Sequence, residues 1–239
     1  MGRVSANGAP EEMPERSILR WGVKMRSAKL ISAAFAVVSL TSPAFAADDA
    51  NELSKKLANP ISSLISVPFQ FNVDFGGGPN DDGENYLLKF QPVIPFRLND
   101  DWNVISRTIV PFTYSQDIFA DDFGGVADTD QSFFFSPSKP GPGGLIWGVG
   151  PIFSLPTATD PRLGSNVWGA GVTGVALVQK GPWTVGALAS QTWSVEGDSI
   201  NETFLQPFAS YAFGHGQSIT LNSESSYDWT TRNGPSLSI

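Results

Sequence analysis

The sequence is poor in the side chains on which most enzymes and metal sites depend. Its 239 residues include no cysteine and a single histidine, which excludes disulfide frameworks, thiolate metal sites and cysteine nucleophiles. Charged residues make up 16% of the chain, against about 25% in ordinary soluble domains, and the net charge is −8. Because a negative surface repels phosphates, we expect no nucleic-acid partner. We also expect no cofactor and no enzymatic activity.

The sequence also lacks helix-favouring composition and, after residue 46, any long apolar run. There are 24 glycines and 18 prolines, and both residue types disfavour helix interiors. A membrane-spanning helix needs about 20 consecutive apolar residues, and no stretch after residue 46 approaches that length. A mainly helical fold is therefore excluded, and if the chain crosses a membrane it must do so as a barrel of strands.

Residues 25–46 have the pattern of a secretory signal peptide. A basic start precedes an apolar stretch, and Ala44 and Ala46 form the small-residue cleavage motif. We predict cleavage after Ala46. Residues 1–24 contain acidic side chains that do not suit such a leader, so we interpret them as an extension from a start codon assigned too far upstream.

After residue 60 the sequence alternates between apolar and polar residues, which is the pattern of strands with one apolar face. In the first segment, for example, Phe69 and Phe71 are separated by Gln70 and followed by Asn72. The eighth segment is apolar on both faces, so its sides are not assigned. The nine predicted strands cover residues 67–75, 86–96, 102–114, 131–137, 145–155, 168–178, 183–194, 203–213 and 219–229.

The connections alternate between long and short, as they do in outer-membrane barrels. Long polar connections lie near 76–84, 115–130, 157–166 and 195–202, and tight turns lie near 99–101, 138–144, 179–182 and 214–217. Most predicted strands reach the roughly 9–11 residues that a tilted strand needs to cross a bilayer, and several begin or end on Trp or Tyr. We therefore predict that 61–239 form an antiparallel transmembrane β-barrel in the outer membrane of a Gram-negative bacterium, preceded by a periplasmic segment at 47–60. A secreted β-sandwich or jelly roll is the alternative, because its strands also alternate.

Several stretches containing proline and glycine resemble a known family. The most specific is Gly141–Pro151, and the others are Leu57–Pro60, Gln91–Pro95, Gln131–Pro137, Leu155–Thr159 and Thr203–Phe208. In these stretches the chain resembles a family of Gram-negative outer-membrane barrels that is labelled with the meta-cleavage pathway of phenol degradation and often called transporters. The resemblance implies an outer-membrane barrel and the passage of small molecules, aromatic ones included. It implies no catalytic residues.

The resemblance also implies that strands are missing at the C-terminal end. The family continues past the stretch matching Tyr227–Trp229, and bacterial barrels have even strand numbers. We expect nine strands here of about 12 in a closed barrel, so that the C-terminus is truncated.

Five charged residues on the polar faces of the predicted strands are our candidates for lining the barrel interior, namely Asp74, Lys89, Arg97, Arg107 and Glu224. If the turn at 99–101 holds three residues, Leu98 opposes Trp102 and the three cations share one interior wall. Such a wall favours anions in a water-filled path. Asp74 and Glu224 are able to neutralise it, so structural pairing and a solute path both stay open.

Two further features are interpreted as structural. The acidic connection near 115–130 contains oxygen ligands that suit Ca²⁺, namely Asp121, Asp122, Asp128 and Asp130. It lacks the spacing of a calcium-binding loop, so we interpret it as a solvated loop and predict no metal site. His215 lies in a Gly-His-Gly turn on the predicted periplasmic side, so we interpret it as a turn residue and not as a catalyst.

These features favour a channel or transporter for small molecules over other functions. The expected partners are outer-membrane lipid and lipopolysaccharide, the barrel-assembly machinery and small-molecule solutes. The alternative is a structural or surface-interaction barrel without transport, and a conductance measurement separates the two.

Overall fold

Most of the described chain forms a single antiparallel sheet that curls into a half-barrel. The structure, a computed structural model, describes residues 47–230 except 79, 81, 120 and 198, together with the backbone of 236–238. The prediction of an all-β antiparallel fold is confirmed. The predicted signal peptide and the residues before it lie outside the described residues. Within those residues, no helix is long and apolar enough to cross a membrane.

One α-helix and thirteen strand segments make up the described architecture. They are α1 Ala47–Leu57, β1 Phe69–Gly77, β2 Gly83–Phe90, β3 Val93–Arg97, β4 Trp102–Gln116, β5 Phe123–Val126, β6 Thr129–Pro137, β7 Leu145–Leu155, β8 Gly169–Lys180, β9 Trp183–Ser194, β10 Asn201–Gly214, β11 Gln217–Asn222, β12 Ser225–Asp228 and β13 Ser236–Ser238, with a 3₁₀ turn at Pro142–Gly144. Three pairs of segments are interrupted strands, because both members of each pair lie along the same neighbour. The pair β2 and β3 lies along one side of β4, and the pair β5 and β6 lies along its other side. The pair β11 and β12 lies along β10. Nine long strands and the short β13 therefore follow one another around the described sheet.

The interruption between β2 and β3 shows how local chemistry shapes the sheet without changing its register. Pro92 has no N–H to donate to the ladder, but its carbonyl still accepts a hydrogen bond from Thr108 N at 3.0 Å. The pairing resumes in the same register, with Val93 opposite Arg107. At the end of this hairpin Leu98 N donates to Trp102 O at 3.0 Å, so the turn at 99–101 has the three residues predicted for it.

Three elements lie where the sequence pattern predicted none. The helix α1 falls within the predicted periplasmic segment, β5 with the start of β6 occupies part of the predicted acidic loop, and the short β13 follows the last predicted strand. Gly124 and Gly125 give β5 little strand propensity, so its pattern is weak. Pairing with residues 112–115 of β4 supplies the order instead.

The face of the sheet that points away from the interior is apolar and exposed. Its large exposed side chains include Phe69, Phe71, Phe75, Phe96, Phe112, Val149, Val172, Val185, Leu205, Phe213, Ile219 and Leu221. A soluble domain rarely exposes so large a contiguous apolar surface.

The interior half nearest the tight turns is filled by apolar side chains. Its buried members are Ile61, Val93, Ile105, Phe134, Val175, Leu177 and Leu188. Val175 and Leu177 lie on the same face of β8 as Thr173, which is the face that the sequence pattern assigned to a polar interior. The interior is thus divided, with an apolar core towards the tight turns and polar residues towards the long connections.

Candidate functional site

The polar half of the interior contains a cavity of about 490 Å³. Its wall is built from β2, β4, β6, β7, β8, β9, β10 and β12, and residues 161–165 of a long connection also line it. Strand alternation places polar side chains of these elements inward while apolar neighbours point outward. This cavity is the candidate functional site.

An ion pair between Lys89 and Glu224 crosses the interior beside this cavity. Lys89 Nζ lies 2.5 Å from Glu224 Oε2, and the two side chains are only 20% and 22% exposed. The Glu224 carboxylate also accepts hydrogen bonds at 3.0 Å from Gln70 Nε2 and from Gln206 Nε2. Four segments of chain therefore meet at one carboxylate, which joins β1 and β2 to the opposite margin of the sheet.

Glu224 lies at the interruption between β11 and β12. β11 ends with Asn222 opposite Phe208, and β12 begins with Ser225 opposite Leu205, so the register is the same on both sides. Ser223 N still donates to the carbonyl of Pro207 at 3.1 Å, although Pro207 has no N–H to donate in return. Because the register is kept, strand alternation places the Glu224 side chain on the inward face with Ser226 and Asp228.

Arg107 faces the same cavity and is linked to Glu224 through two amides. Its Nη2 donates to Gln91 Oε1 at 2.8 Å, and Gln91 Nε2 donates to Gln70 Oε1 at 2.9 Å. Gln70 in turn donates to Glu224. Lys89, Arg107 and Glu224 are thus the three predicted lining residues that the structure brings together.

The other two predicted lining residues lie elsewhere. Arg97 is paired with Asp100 at a tight turn, where the two side chains are 71% and 90% exposed. Asp74 is exposed and accepts a hydrogen bond from Asn85 Nδ2 at 3.3 Å. Neither residue lines the cavity.

Four carboxylates outside the predicted set of lining residues also line the cavity, namely Asp128, Asp130, Glu202 and Asp228. Glu202 pairs with Thr192 on one side and with Asp228 on the other, and its carboxylate accepts a hydrogen bond from Ser226 Oγ at 2.9 Å. The predicted eighth strand began one residue later, at 203. Because that strand is apolar on both faces and its sides are not assigned from sequence, the sequence pattern gave no signal that Glu202 faces inward.

The cavity carries more negative than positive charge. Its lining includes three cations, Lys89, Arg107 and Arg162, and five carboxylates, which are the four above and Glu224. The difference is 3 − 5 = −2. Because Lys89 is already neutralised by Glu224, the remaining lining is dominated by carboxylates.

The connection that covers the cavity is fixed by polar contacts at both of its ends. Asp128 accepts hydrogen bonds from Ala158 N at 3.1 Å and from Ser165 N at 2.7 Å. Arg162 lies 3.9 Å from the centre of the Phe123 ring, and its Nη2 donates to Asp160 Oδ2 at 2.7 Å. This hydrogen-bonded guanidinium lowers the pKa of Asp160 to about 2. The connection is held in place over the cavity.

The four aspartates considered as calcium ligands lie in two different places. Asp121 and Asp122 are exposed, with Asp122 accepting a hydrogen bond from Asp117 N at 3.1 Å, whereas Asp128 and Asp130 line the cavity. In the described part of the chain no three His, Asp or Glu side chains are grouped so as to hold a metal ion. His215 lies in the turn between β10 and β11 with φ 54°.

Comparisons of this chain with protein-family models, with curated proteins and with solved structures found no match.

Proposed function

We propose that the chain is an outer-membrane β-barrel that takes small solutes into its interior from the side of the long connections. The observation that carries this proposal is the polar cavity of about 490 Å³, surrounded by strands whose outward faces are apolar. A volume of this size is within the roughly 300–1,000 Å³ typical of small-molecule sites. The family resemblance supports the same function.

The outward aromatic residues support a membrane location. One row lies near the tight turns and includes the Trp102–Trp147 and Trp183–Tyr211 pairs, and a second row near the long connections includes Tyr227–Trp229. Along β9, Trp183 and Trp193 are ten residues apart, which is about 33 Å along a strand and about 25 Å across the membrane at the usual barrel tilt. That height matches the apolar band of outer-membrane barrels.

The charge of the cavity indicates which solutes it favours. Glu224 neutralises Lys89, and Arg97 lies outside the cavity, so the wall of three cations expected from sequence is not formed. With five carboxylates and three cations in its lining, the cavity favours neutral and cationic solutes over anions.

Transport is tested with the full chain folded into lipid bilayers. We expect single-channel openings with a preference for K⁺ over Cl⁻, and we expect Glu202→Gln to reduce that preference. Asp74→Asn is the matched control, because Asp74 is a carboxylate on an exposed site outside the cavity. An unchanged permeability ratio in Glu202→Gln would remove the cavity from the solute path.

Location is tested by cell fractionation followed by N-terminal sequencing. We expect a mature chain that begins at Ala47 in the outer-membrane fraction. Recovery of the mature chain from soluble periplasm would contradict the barrel and favour the secreted sandwich.

The second candidate function is a structural or surface-interaction barrel without transport. The observation that favours it is the apolar core, which fills the interior towards the tight turns and leaves the cavity closed at that end. A folded chain that never conducts in bilayers would support this alternative.

A further inference from the structure

The chain that precedes β1 lies across the tight-turn end of the interior. We call residues 47–65 the N-terminal segment. Gln179 Nε2, at the end of β8, donates to the Lys55 carbonyl at 2.8 Å, and Gly216 N, in the turn between β10 and β11, donates to Asn51 Oδ1 at 3.5 Å. From Ser66 onward the chain is held by paired hydrogen bonds to Val93. The N-terminal segment is therefore the part before the first ladder contact.

One side chain of this segment is inserted deeply into the interior. Ile61 is 4% exposed and belongs to the apolar core. It lies over Gly148 on the inner face of β7, where an added β-carbon would be only 3.2 Å from Ile61 Cδ1. The missing side chain at 148 makes the space that Ile61 fills.

Ile61 differs from the other six buried members of the apolar core, because it does not belong to a strand. Val93, Ile105 and Phe134, for example, lie in ladders, so they cannot leave the interior unless strands separate. Ile61 can leave when the N-terminal segment moves, with all ladders intact. It is thus the movable member of the core.

Apart from Ile61, the buried side chains described in this segment are the small polar Ser54 and Ser62, which are 4% and 5% exposed. Leu53 and Leu57 of α1 remain 40% and 41% exposed, so the helix buries little apolar surface against the barrel. Glu52 and Lys56 pair on the solvent side of α1. Elements with few buried apolar contacts open more easily than the strands they cover.

The core and the cavity are contiguous. Leu188 and Phe204 line the cavity and also pack in the apolar core. Because these two side chains belong to both, no polar layer separates the core from the cavity. A gap in the core beside them therefore opens into the cavity.

We infer that the N-terminal segment is a gate, and that withdrawal of Ile61 joins the cavity to the tight-turn end of the barrel. This inference rests on the proposed function, since a gate requires a solute path. The closed state is the structure described above, in which Ile61 is part of the apolar core that fills the interior towards the tight turns. In the open state Ile61 has left the core, and solutes can pass through this end of the barrel.

The gate is tested with a single engineered thiol, because the chain contains no cysteine. Ile61→Cys in the full chain is folded into planar bilayers, and a bulky charged methanethiosulfonate reagent is added on the tight-turn side. A modified side chain cannot return to the apolar core, so we expect conductance to rise at least about tenfold and to fall again when a reductant removes the adduct. Ile65→Cys is the matched control, because Ile65 is in the same segment but 66% exposed, and its modification should not change conductance.

A second variant acts on Ile61 from the barrel side. Gly148→Ala places a methyl group 3.2 Å from Ile61 Cδ1 and 3.3 Å from Phe134 Cβ. Phe134 is held in its strand, so Ile61 is the neighbour that moves, and the open fraction should rise without any change in the segment. Gly174→Ala, whose added carbon meets Val149 Cγ1 at 3.5 Å and Gly148 O at 3.8 Å, should leave the open fraction unchanged. Folding of each variant is checked by heat-modifiable migration on detergent gels.

The possible failures are distinguishable. Steady conductance that is the same in the parent, in modified Ile61→Cys and in Gly148→Ala would overturn the gate and leave the solute path standing. Absence of conductance in the parent and in every variant would overturn the solute path, and the gate with it.

Discussion

The Glu224 carboxylate is the junction at which the two margins of the curled sheet meet, so its charge should matter for stability. The perturbation that tests this is Glu224→Gln, which keeps the size of the side chain and removes the negative charge. Lys89 Nζ, 2.5 Å from the carboxylate and largely buried, would then have no counter-charge. One carboxylate oxygen would become an NH2 group, which cannot accept a hydrogen bond from Lys89 or from the two glutamine donors at 3.0 Å.

The expected loss lies between two reference values. Breaking a fully buried ion pair costs about 3–5 kcal/mol, and exposed pairs contribute about 0–1 kcal/mol. At 20% and 22% exposure the Lys89–Glu224 pair is mostly buried, so we expect a loss of about 2–3 kcal/mol in the free energy of unfolding, consistent with charged hydrogen bonds of roughly 1.5–3 kcal/mol. The matched control is Asp100→Asn, whose pair with Arg97 is exposed and should cost less than about 1 kcal/mol.

The assay is urea unfolding of the mature chain in lipid vesicles, followed by the fluorescence of its six tryptophans. A double-mutant cycle with Lys89→Met isolates the pair, and we expect a coupling energy of about 1–3 kcal/mol. If Glu224→Gln and Asp100→Asn lose the same stability within about 0.5 kcal/mol, the junction is not a stabilising element and the reasoning is refuted.

Two further predictions concern the sheet and the covering connection. Gly150→Ala should lower the free energy of unfolding by at least about 3 kcal/mol or prevent folding, because a β-carbon at 150 would lie 1.8 Å from the carbonyl oxygen of Phe133 on the neighbouring strand. The measurement is heat-modifiable migration on a detergent gel, with Gly174→Ala as the control that should fold normally. A folded band from Gly150→Ala would contradict the prediction. The Asp160 carboxyl, whose pKa is lowered from 3.8 to about 2 by hydrogen bonds from Arg162, should titrate near pH 2 in a carbon-detected NMR experiment. A lowered folded pKa means that the ion pair stabilises the connection above about pH 4 and is lost as the pH falls through about 2. Arg162→Gln should return the midpoint towards 3.8, and an unchanged midpoint in that variant would exclude the guanidinium as the cause.

The strands and their inward faces were accessible from the sequence because both depend on neighbouring residues. Alternation every second residue places Phe69 and Phe71 on one side and Gln70 on the other wherever the strand ends up. The tight turn at 99–101 sets the register of its hairpin in the same local way, and Leu98 does oppose Trp102. Local information was weak where glycines reduce propensity, as in β5, and absent for the side of β10 that faces inward.

By itself, then, the sequence determined the strands, their order and the identity of Lys89, Arg107 and Glu224 as inward polar residues, since periodicity and turn chemistry act over a few positions. Only the tertiary structure decided that Lys89 pairs with Glu224, 135 residues later, that Arg97 stays outside the cavity, and that Ile61 enters the core over Gly148. These contacts depend on how tightly the whole sheet curls and on which strands face each other across the interior. The curl is a sum over all strand pairs, so no single stretch of sequence specifies it.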